Sequence, residues 1–188
     1  MSSPVQHCQY SKSTFLLCAL LIALICNTAT AIDDDVAPEH NATNVTVRDL
    51  QTQSGFQALL LAAVNKERAA VGLPSLCMNT KLQSAAQKHS KDMAANNYMS
   101  HTGSSGSSMS QRITASGFKW TAVAENVAAG QMDAAAVMKA WMNSPGHRKN
   151  ILGSKYKMLG CGYAYNANAV YKRYWAQEFG TGSSESCS

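Results

Sequence analysis

The hydrophobic pattern of this chain changes its period partway along, and this change limits the fold more than any other feature. Residues 56–95 repeat apolar side chains at the three-to-four-residue spacing that is typical of amphipathic helices. Residues 160–179 instead alternate aromatic and polar side chains on either side of Asn166-Ala167-Asn168, which predicts a β-hairpin. Helices that precede strands in this way predict an α+β fold, in which the helices pack on a small antiparallel sheet.

Capping and turn residues set the limits of the predicted helices. Asn79 is expected to cap the second helix, Ser110 a short third helix and Asp133 a fourth. Pro145-Gly146 is expected to terminate that fourth helix. No internal repeat is visible, so the pattern predicts a single domain.

The N-terminal segment has the features of a secretory signal peptide. Its 12-residue apolar run from Phe15 to Cys26 is followed by the cleavage pattern Ala29-Thr30-Ala31. The run is shorter than the roughly 20 residues that a helix needs to cross a bilayer. We therefore expect residues 1–31 to be removed and the mature protein to be soluble, secreted and extracellular.

The segment that follows differs in composition from the rest of the chain. Residues 32–53 are acidic, lack a sustained apolar period and carry N-glycosylation sequons at Asn41 and Asn44. We expect an acidic, N-glycosylated arm here, with an unmodified linker as the alternative. The domain proper is expected over residues 54–182, and residues 183–188 form a C-terminal tail.

The predicted domain is strongly basic once the arm is set aside. Residues 54–182 hold 14 Lys or Arg against 5 Asp or Glu, a net charge of +9. Such a field favours anionic partners, here the surface of a membrane or a cell wall, unless it serves only to keep a monomer in solution. Nucleic acid is excluded as a partner because the basic residues are scattered and the chain is exported.

Three cysteines remain after removal of the signal peptide, and they allow three pairings. We favour Cys77 with Cys187, which would tie the tail to the domain and leave Cys161 buried in a strand. A Cys161–Cys187 bond is the second choice, and a bond between chains through the odd cysteine stays open.

Two histidines and one glutamate are the candidate functional side chains. His101, Glu125 and His147 lie near the ends of predicted elements, where their side chains can converge on one cleft. Imidazole and carboxylate groups are ligands that a divalent cation such as zinc accepts. Their spacing matches no compact metal motif, so a structural role for each histidine remains the alternative.

From Leu59 to Gly180 the chain resembles the CAP superfamily, which comprises cysteine-rich secretory proteins, antigen 5 and pathogenesis-related class 1 proteins. The segments that carry the resemblance are Asn65-Lys66-Glu67-Arg68, Leu82 to Gln87, Met99-Ser100-His101, Ala124 to Ala128, Trp141, Gly146-His147 and Gly160-Cys161-Gly162-Tyr163. Residues 141–152 look like the compact subgroup that is common in microbes. The resemblance implies an α-β-α sandwich, the SCP domain, with the sheet between the helices.

The resemblance also implies a central cleft with two histidines and two glutamates. His101, Glu125 and His147 match the first histidine, the first glutamate and the second histidine. The position of the second glutamate is occupied by Ser144, and Glu178 on the last predicted strand is the nearest substitute.

Members of this family are associated with lipid binding, cation binding and hydrolysis. We therefore expect a secreted binding protein that takes a sterol or a fatty acid in an apolar groove beside the cleft, with a role in defence or host–microbe contact. Met109 and the loop 102–108 are candidates for a mobile wall of that groove. His101 and His147 would hold a zinc ion if one is bound.

Two other functional classes stay open. One is a module that binds a protein or a glycan without any small ligand. The other is a metal-assisted hydrolase, in which Glu125 acts as the general base. A serine nucleophile would require Ser100 or Ser144 to meet a histidine.

Overall fold

The computed structural model describes residues 47–188, with side chains from residue 55 onward. In this range the chain forms five helices and four strands. The helices are α1 (Val47–Ala69), α2 (Thr80–Ala95), α3 (Met109–Ala115), α4 (Ala134–Asn143) and α5 (Pro145–Ile151). The strands are β1 (Cys77–Met78), β2 (Ala122–Ala129), β3 (Met158–Tyr165) and β4 (Arg173–Thr181).

Several expectations for the N-terminal part lie outside the described residues. These are the signal peptide over 1–31 and the sequons at Asn41 and Asn44. Helix α1 begins at Val47, within the segment that was expected to belong to the acidic arm. Over residues 47–188, no helix combines the length and apolarity that crossing a membrane requires.

The four strands form one sheet in the order β1-β3-β4-β2. Strand β4 pairs antiparallel with both β3 and β2, while the two-residue β1 adds a short parallel pairing to β3. Alternate positions of the sheet pack on opposite layers, with Tyr174 against Met93 of α2 and Trp175 against the layer of α1 and α4. This arrangement confirms the predicted α+β sandwich with helices on both faces.

Two glycines of β3 allow α2 to lie directly on the sheet. A Cβ at Gly160 would come within 2.1 Å of the backbone carbon of Leu82, and one at Gly162 within 2.2 Å of the carbonyl oxygen of Ala86. Real Cβ atoms do not approach so closely, so helix and strand touch through bare backbone. The resemblance motif Gly160-Cys161-Gly162-Tyr163 is thereby explained as a packing requirement.

The same helix completes the hydrogen bonding of β3 where β1 ends. The side-chain amide of Gln83 both donates to the carbonyl of Cys161 and accepts from its N–H, the latter at 3.0 Å. Gln87 does the same for Tyr163, at 2.6 Å and 3.3 Å. Two glutamines one helical turn apart therefore take the place of a neighbouring strand.

One of the predicted helix limits was wrong. Ser108, and not Ser110, caps α3, where its hydroxyl accepts from the N–H of Gln111 in a capping box. The predicted end of the fourth helix is confirmed, since α4 ends at Asn143, just before Pro145-Gly146. Pro145 also starts α5, as a residue that has no N–H to leave unpaired. The N-caps predicted at Asn79 and Asp133 are confirmed.

The C-terminal tail is fastened to the domain. The favoured disulfide between Cys77 and Cys187 is present, and Cys161 is free and buried. Glu185 forms an ion pair with Lys81, whose nitrogen lies 2.9 Å from the carboxylate. The tail therefore closes over the start of β1 and α2.

Candidate functional site

The site is organised around Glu125, a carboxylate buried on strand β2. Its side chain is 1% exposed, and β2 is the outermost strand at its end of the sheet. Alternation along the strand turns Glu125 and Val127 to the layer of α2, while Ala124 faces the layer of α1 and α4. A buried carboxylate is costly unless other groups compensate its charge, so its partners define the site.

The side chains of His101 and Arg112 satisfy the two oxygens of Glu125. The Nδ1 atom of His101 lies 2.8 Å from Oε1, and Nη2 of Arg112 lies 2.5 Å from Oε2. The hydrogen bond to Glu125 raises the pKa of His101, although partial burial works against it. With Nδ1 engaged and the ring 59% exposed, Nε2 of His101 remains available toward solvent.

Arg112 also fixes the backbone that carries His101. Its Nη1 donates to the carbonyl of His101 at 3.0 Å and to that of Ser107 at 2.9 Å. The carboxylate of Asp92 accepts from both the backbone N–H and the hydroxyl of Ser104. The loop 102–108, expected as a mobile wall, is thus tied down from two sides.

A further histidine, His89, was missed by the sequence analysis. It is fully buried on α2, and its Nε2 lies 2.8 Å from the carbonyl of Ser100 and 3.7 Å from Oε2 of Glu125. Burial lowers the pKa of His89, so its ring is neutral at physiological pH. Its part is to support the chain next to His101 rather than to contact a ligand.

Glu178 lies directly opposite Glu125 in the register of β2 and β4. Burial and the nearby charge of Glu125 raise the pKa of Glu178 well above its usual range. Burial also acts to raise the pKa of Glu125, but the hydrogen bond from His101 and the charge of Arg112 hold it below its usual value. The two residues therefore form a pair in which Glu178 keeps the proton and Glu125 keeps the charge.

His147 and Ser144 lie at the start of α5, on the other side of β2. The carbonyl of His147 accepts from the side chain of Asn126 at 3.3 Å. Burial lowers the pKa of His147, and the positive charge of His101 lowers it further, so the two rings influence each other. The side chain of Ser144 makes no capping hydrogen bond, and within residues 55–188 nothing joins it to His101 or Glu125.

The side chains around Glu125 are not arranged as the ligands of a catalytic zinc site. Within residues 55–188 no three His, Cys, Asp or Glu side chains are arranged to hold one metal ion. Both oxygens of Glu125 are occupied, and the guanidinium of Arg112 places a fixed positive charge beside them. A catalytic zinc takes three protein ligands, so no metal step is derived for this site.

The main feature of this site is the imidazole ring of His101, which is held in one orientation. Glu125 fixes the ring of His101 through Nδ1, which leaves Nε2 to accept or donate a hydrogen bond at the surface. Sequence reasoning placed Glu125 as a general base, but its oxygens already accept from His101 and Arg112. His101 is therefore the residue of this group that can meet an external molecule.

Comparison with known proteins gives a family and a fold. The model of the cysteine-rich secretory protein family, CAP, matches residues 61–179. The uncharacterized protein YkwD of Bacillus subtilis is 33% identical over 137 residues, which cover 73% of this chain and 51% of YkwD.

Solved structures agree with that match. An extracellular protein containing an SCP domain from Bacillus anthracis shares 29% sequence identity at a TM-score of 0.65, over 75% of this chain and 45% of that one. An outer surface protein of Borrelia burgdorferi is 20% identical at a TM-score of 0.63, over 69% of this chain and 94% of its own, a likeness of fold alone. The chain spans about half the length of the two Bacillus proteins.

Proposed function

This chain belongs to the cysteine-rich secretory protein (CAP) family, and from that premise we propose that it acts outside the cell by binding a lipid, in the first place a fatty acid. The structural relative from Bacillus anthracis is described as an extracellular protein, which supports the location. The lipid is supported by an apolar groove between α1 and α4.

The floor of this groove is made of small and flexible apolar side chains. Ala63 of α1 faces Met138 and Met142 of α4 across a cavity of 310 Å³. Ligand pockets generally measure about 300–1,000 Å³, so this one is at the small end of the range and suits a single acyl chain better than a bulkier molecule. Methionine adapts its three rotatable bonds to an irregular apolar ligand.

The rim of the groove carries the charge that a fatty acid needs. Lys66 of α1 and Lys139 of α4 both border the cavity, and Glu67 of α1 borders it as well, which leaves a net charge of +1 on the lining. Their ammonium groups favour a carboxylate over the uncharged hydroxyl of a sterol. At its far end the groove reaches Asn143, from which the chain passes through Ser144 into α5 and His147.

A substitution that fills the groove tests the proposal. Ala135 borders the cavity and is exposed on α4, so Ala135→Trp narrows the groove without disturbing the core. The delipidated protein is titrated with palmitate and followed by native mass spectrometry and calorimetry. Saturable binding is expected for the unchanged protein, with a loss of at least about tenfold in affinity for Ala135→Trp.

The matched control is Ala136→Trp, which places the same bulk one position along α4, outside the lining of the cavity. It should bind palmitate like the unchanged protein. Cholesterol is titrated in parallel. If the protein binds cholesterol more tightly than palmitate, the proposed ligand is a sterol and not a fatty acid. Absence of any saturable lipid binding, or equal binding by both variants, would remove the groove as the site.

A further inference from the structure

The loop that joins β3 to β4 exposes apolar side chains at one end of the sheet. We call residues 165–173 the tip loop. Within it Val170 is 73% exposed, Tyr171 50% and Tyr165 39%. Three such side chains so close together form an apolar patch, which is uncommon on a monomer surface unless the patch contacts something.

Hydrogen bonds hold the backbone of the tip loop in place. The side-chain oxygen of Asn97 accepts from the N–H of Val170 at 2.8 Å and from the hydroxyl of Tyr174 at 3.1 Å. Asn166 donates from its side chain to the carbonyl of Ala94 at 2.8 Å. The loop is therefore anchored to the end of α2 on both sides of Val170.

The charged side chains of the tip loop itself are both positive. Lys172 and Arg173 follow Tyr171 directly, and the sequence contains no Asp or Glu from residue 165 to residue 177. The guanidinium of Arg173 lies over the ring of Tyr165, 5.3 Å from its centre. Lys91 of α2 borders a 380 Å³ cavity together with Tyr165, which extends the basic surface beyond the loop.

We infer that the tip loop docks on the surface of an anionic lipid bilayer. Tyrosines flanked by Lys and Arg suit the interface of a membrane, where the ring sits among the headgroups and the cation meets lipid phosphate or carboxylate. Val170 would enter the boundary between headgroups and acyl chains. A second copy of this chain is a poor occupant, because a symmetric contact would bring Lys172 and Arg173 against their own equivalents.

Vesicle binding tests this surface separately from the fatty-acid groove. The full chain as secreted is mixed with vesicles of phosphatidylcholine alone or of equal parts phosphatidylcholine and phosphatidylserine, and binding is measured by co-sedimentation. We expect binding to the anionic vesicles that falls as salt rises. The double variant Val170→Ser with Tyr171→Ser should weaken it by at least about tenfold, and Lys172→Gln by about fivefold.

Matched controls carry the same changes elsewhere. Val71→Ser alters a valine that is 53% exposed beyond the end of α1, and Lys119→Gln alters an exposed lysine outside the tip loop. Both should bind vesicles like the unchanged protein, and near-UV circular dichroism checks that all variants are folded.

Several results would overturn the inference. These are the absence of binding to anionic vesicles, equal binding to neutral vesicles, and tip-loop variants that bind as well as the controls. Analytical ultracentrifugation tests whether a second copy of the chain binds the patch instead. If the protein self-associates, the tip-loop variants abolish this self-association and no vesicle binding is seen, the patch is an interface between two copies. Neither readout depends on whether palmitate binds between α1 and α4.

Discussion

At the scale of single residues, the site depends on which carboxylate keeps its charge. Contacts with Arg112 and His101 favour the ionised form of Glu125, whereas burial raises the pKa of Glu178 beside it and favours its protonated form. Removing a buried charge that has a buried partner costs much more than replacing a neutral acid by a neutral amide of the same shape. The two glutamates should therefore respond differently to the same substitution.

Glu125→Gln should lower the free energy of unfolding by about 3 kcal/mol, because the guanidinium of Arg112 then loses its counter-charge. It should also return the pKa of His101 toward the ordinary value of 6.5, since the hydrogen bond to Glu125 is the main cause of its increase. Urea denaturation and an NMR titration of the histidine ring measure the two effects.

The control is Glu178→Gln, which should cost clearly less stability and leave the titration of His101 above 6.5. In the unchanged protein the raised pKa means that the protonated ring stabilises the fold at low pH, and this contribution is lost as the pH rises through the folded-state pKa. An unshifted His101 in Glu125→Gln would contradict the proposed role of Glu125.

At the scale of elements, the contact between α2 and β3 is the most restrictive in the fold. Gly160→Ala or Gly162→Ala would drive a methyl group into the backbone of α2, at 2.1 Å and 2.2 Å from its nearest atoms. Each should lower the free energy of unfolding by at least about 2 kcal/mol, as overpacking against rigid backbone does. Chemical denaturation measures the loss.

Gly146→Ala is the matched control, because a Cβ at Gly146 meets nothing within 4 Å. Its stability should be unchanged or higher by up to about 1 kcal/mol, since alanine is the better helix residue. If the variants at positions 146 and 160 lost equal stability, close packing could not be the reason for the glycines of β3.

The elements show how far sequence patterns predict this fold. Periodicity and caps predicted α2, α4 and the β3–β4 hairpin, because each has a local signal. Strand β2 carries no alternating pattern, since Glu125 and Asn126 are polar yet buried inside it. Helix α5 was missed because Pro145 was interpreted as a stop, whereas its position at the start of a helix is equally typical.

The site was predicted only in part for a similar reason. The resemblance led to His101, Glu125 and Glu178, and the structure brings these three together. Arg112 and His89 were missed because each is one polar residue on a helix with no local motif. The sequence offered only an indirect indication, because a buried Glu125 requires a cationic partner. Only the tertiary fold shows which residue is that partner.

At the scale of the whole molecule, the disulfide between Cys77 and Cys187 links two distant points of the described chain. Cys77 and Cys187 are 110 residues apart, so their bond restricts most of the unfolded domain. Loop-closure entropy predicts a contribution of about 4–5 kcal/mol for a loop of roughly this size. Cys187→Ser should lower the free energy of unfolding by about 2–5 kcal/mol, as the removal of a native disulfide usually does.

Denaturation with and without a reductant checks this prediction. The reductant should destabilise the unchanged protein and leave Cys187→Ser as it was. Cys161 offers an internal control, because it is fully buried and burial raises the pKa of its thiol, so it should resist alkylation until the domain unfolds. Equal stability of the oxidised and reduced protein would show that the bond is dispensable.

The glutamine pair of α2 has a consequence for how copies of this protein behave at high concentration. An open sheet border is a template on which strands of other chains can add, and this is the first step toward fibrils. Beyond β1, an incoming strand would have to displace Gln83 and Gln87 from Cys161 and Tyr163 before it could add to β3. A helix thus terminates sheet growth here and protects the protein from polymerising along this border.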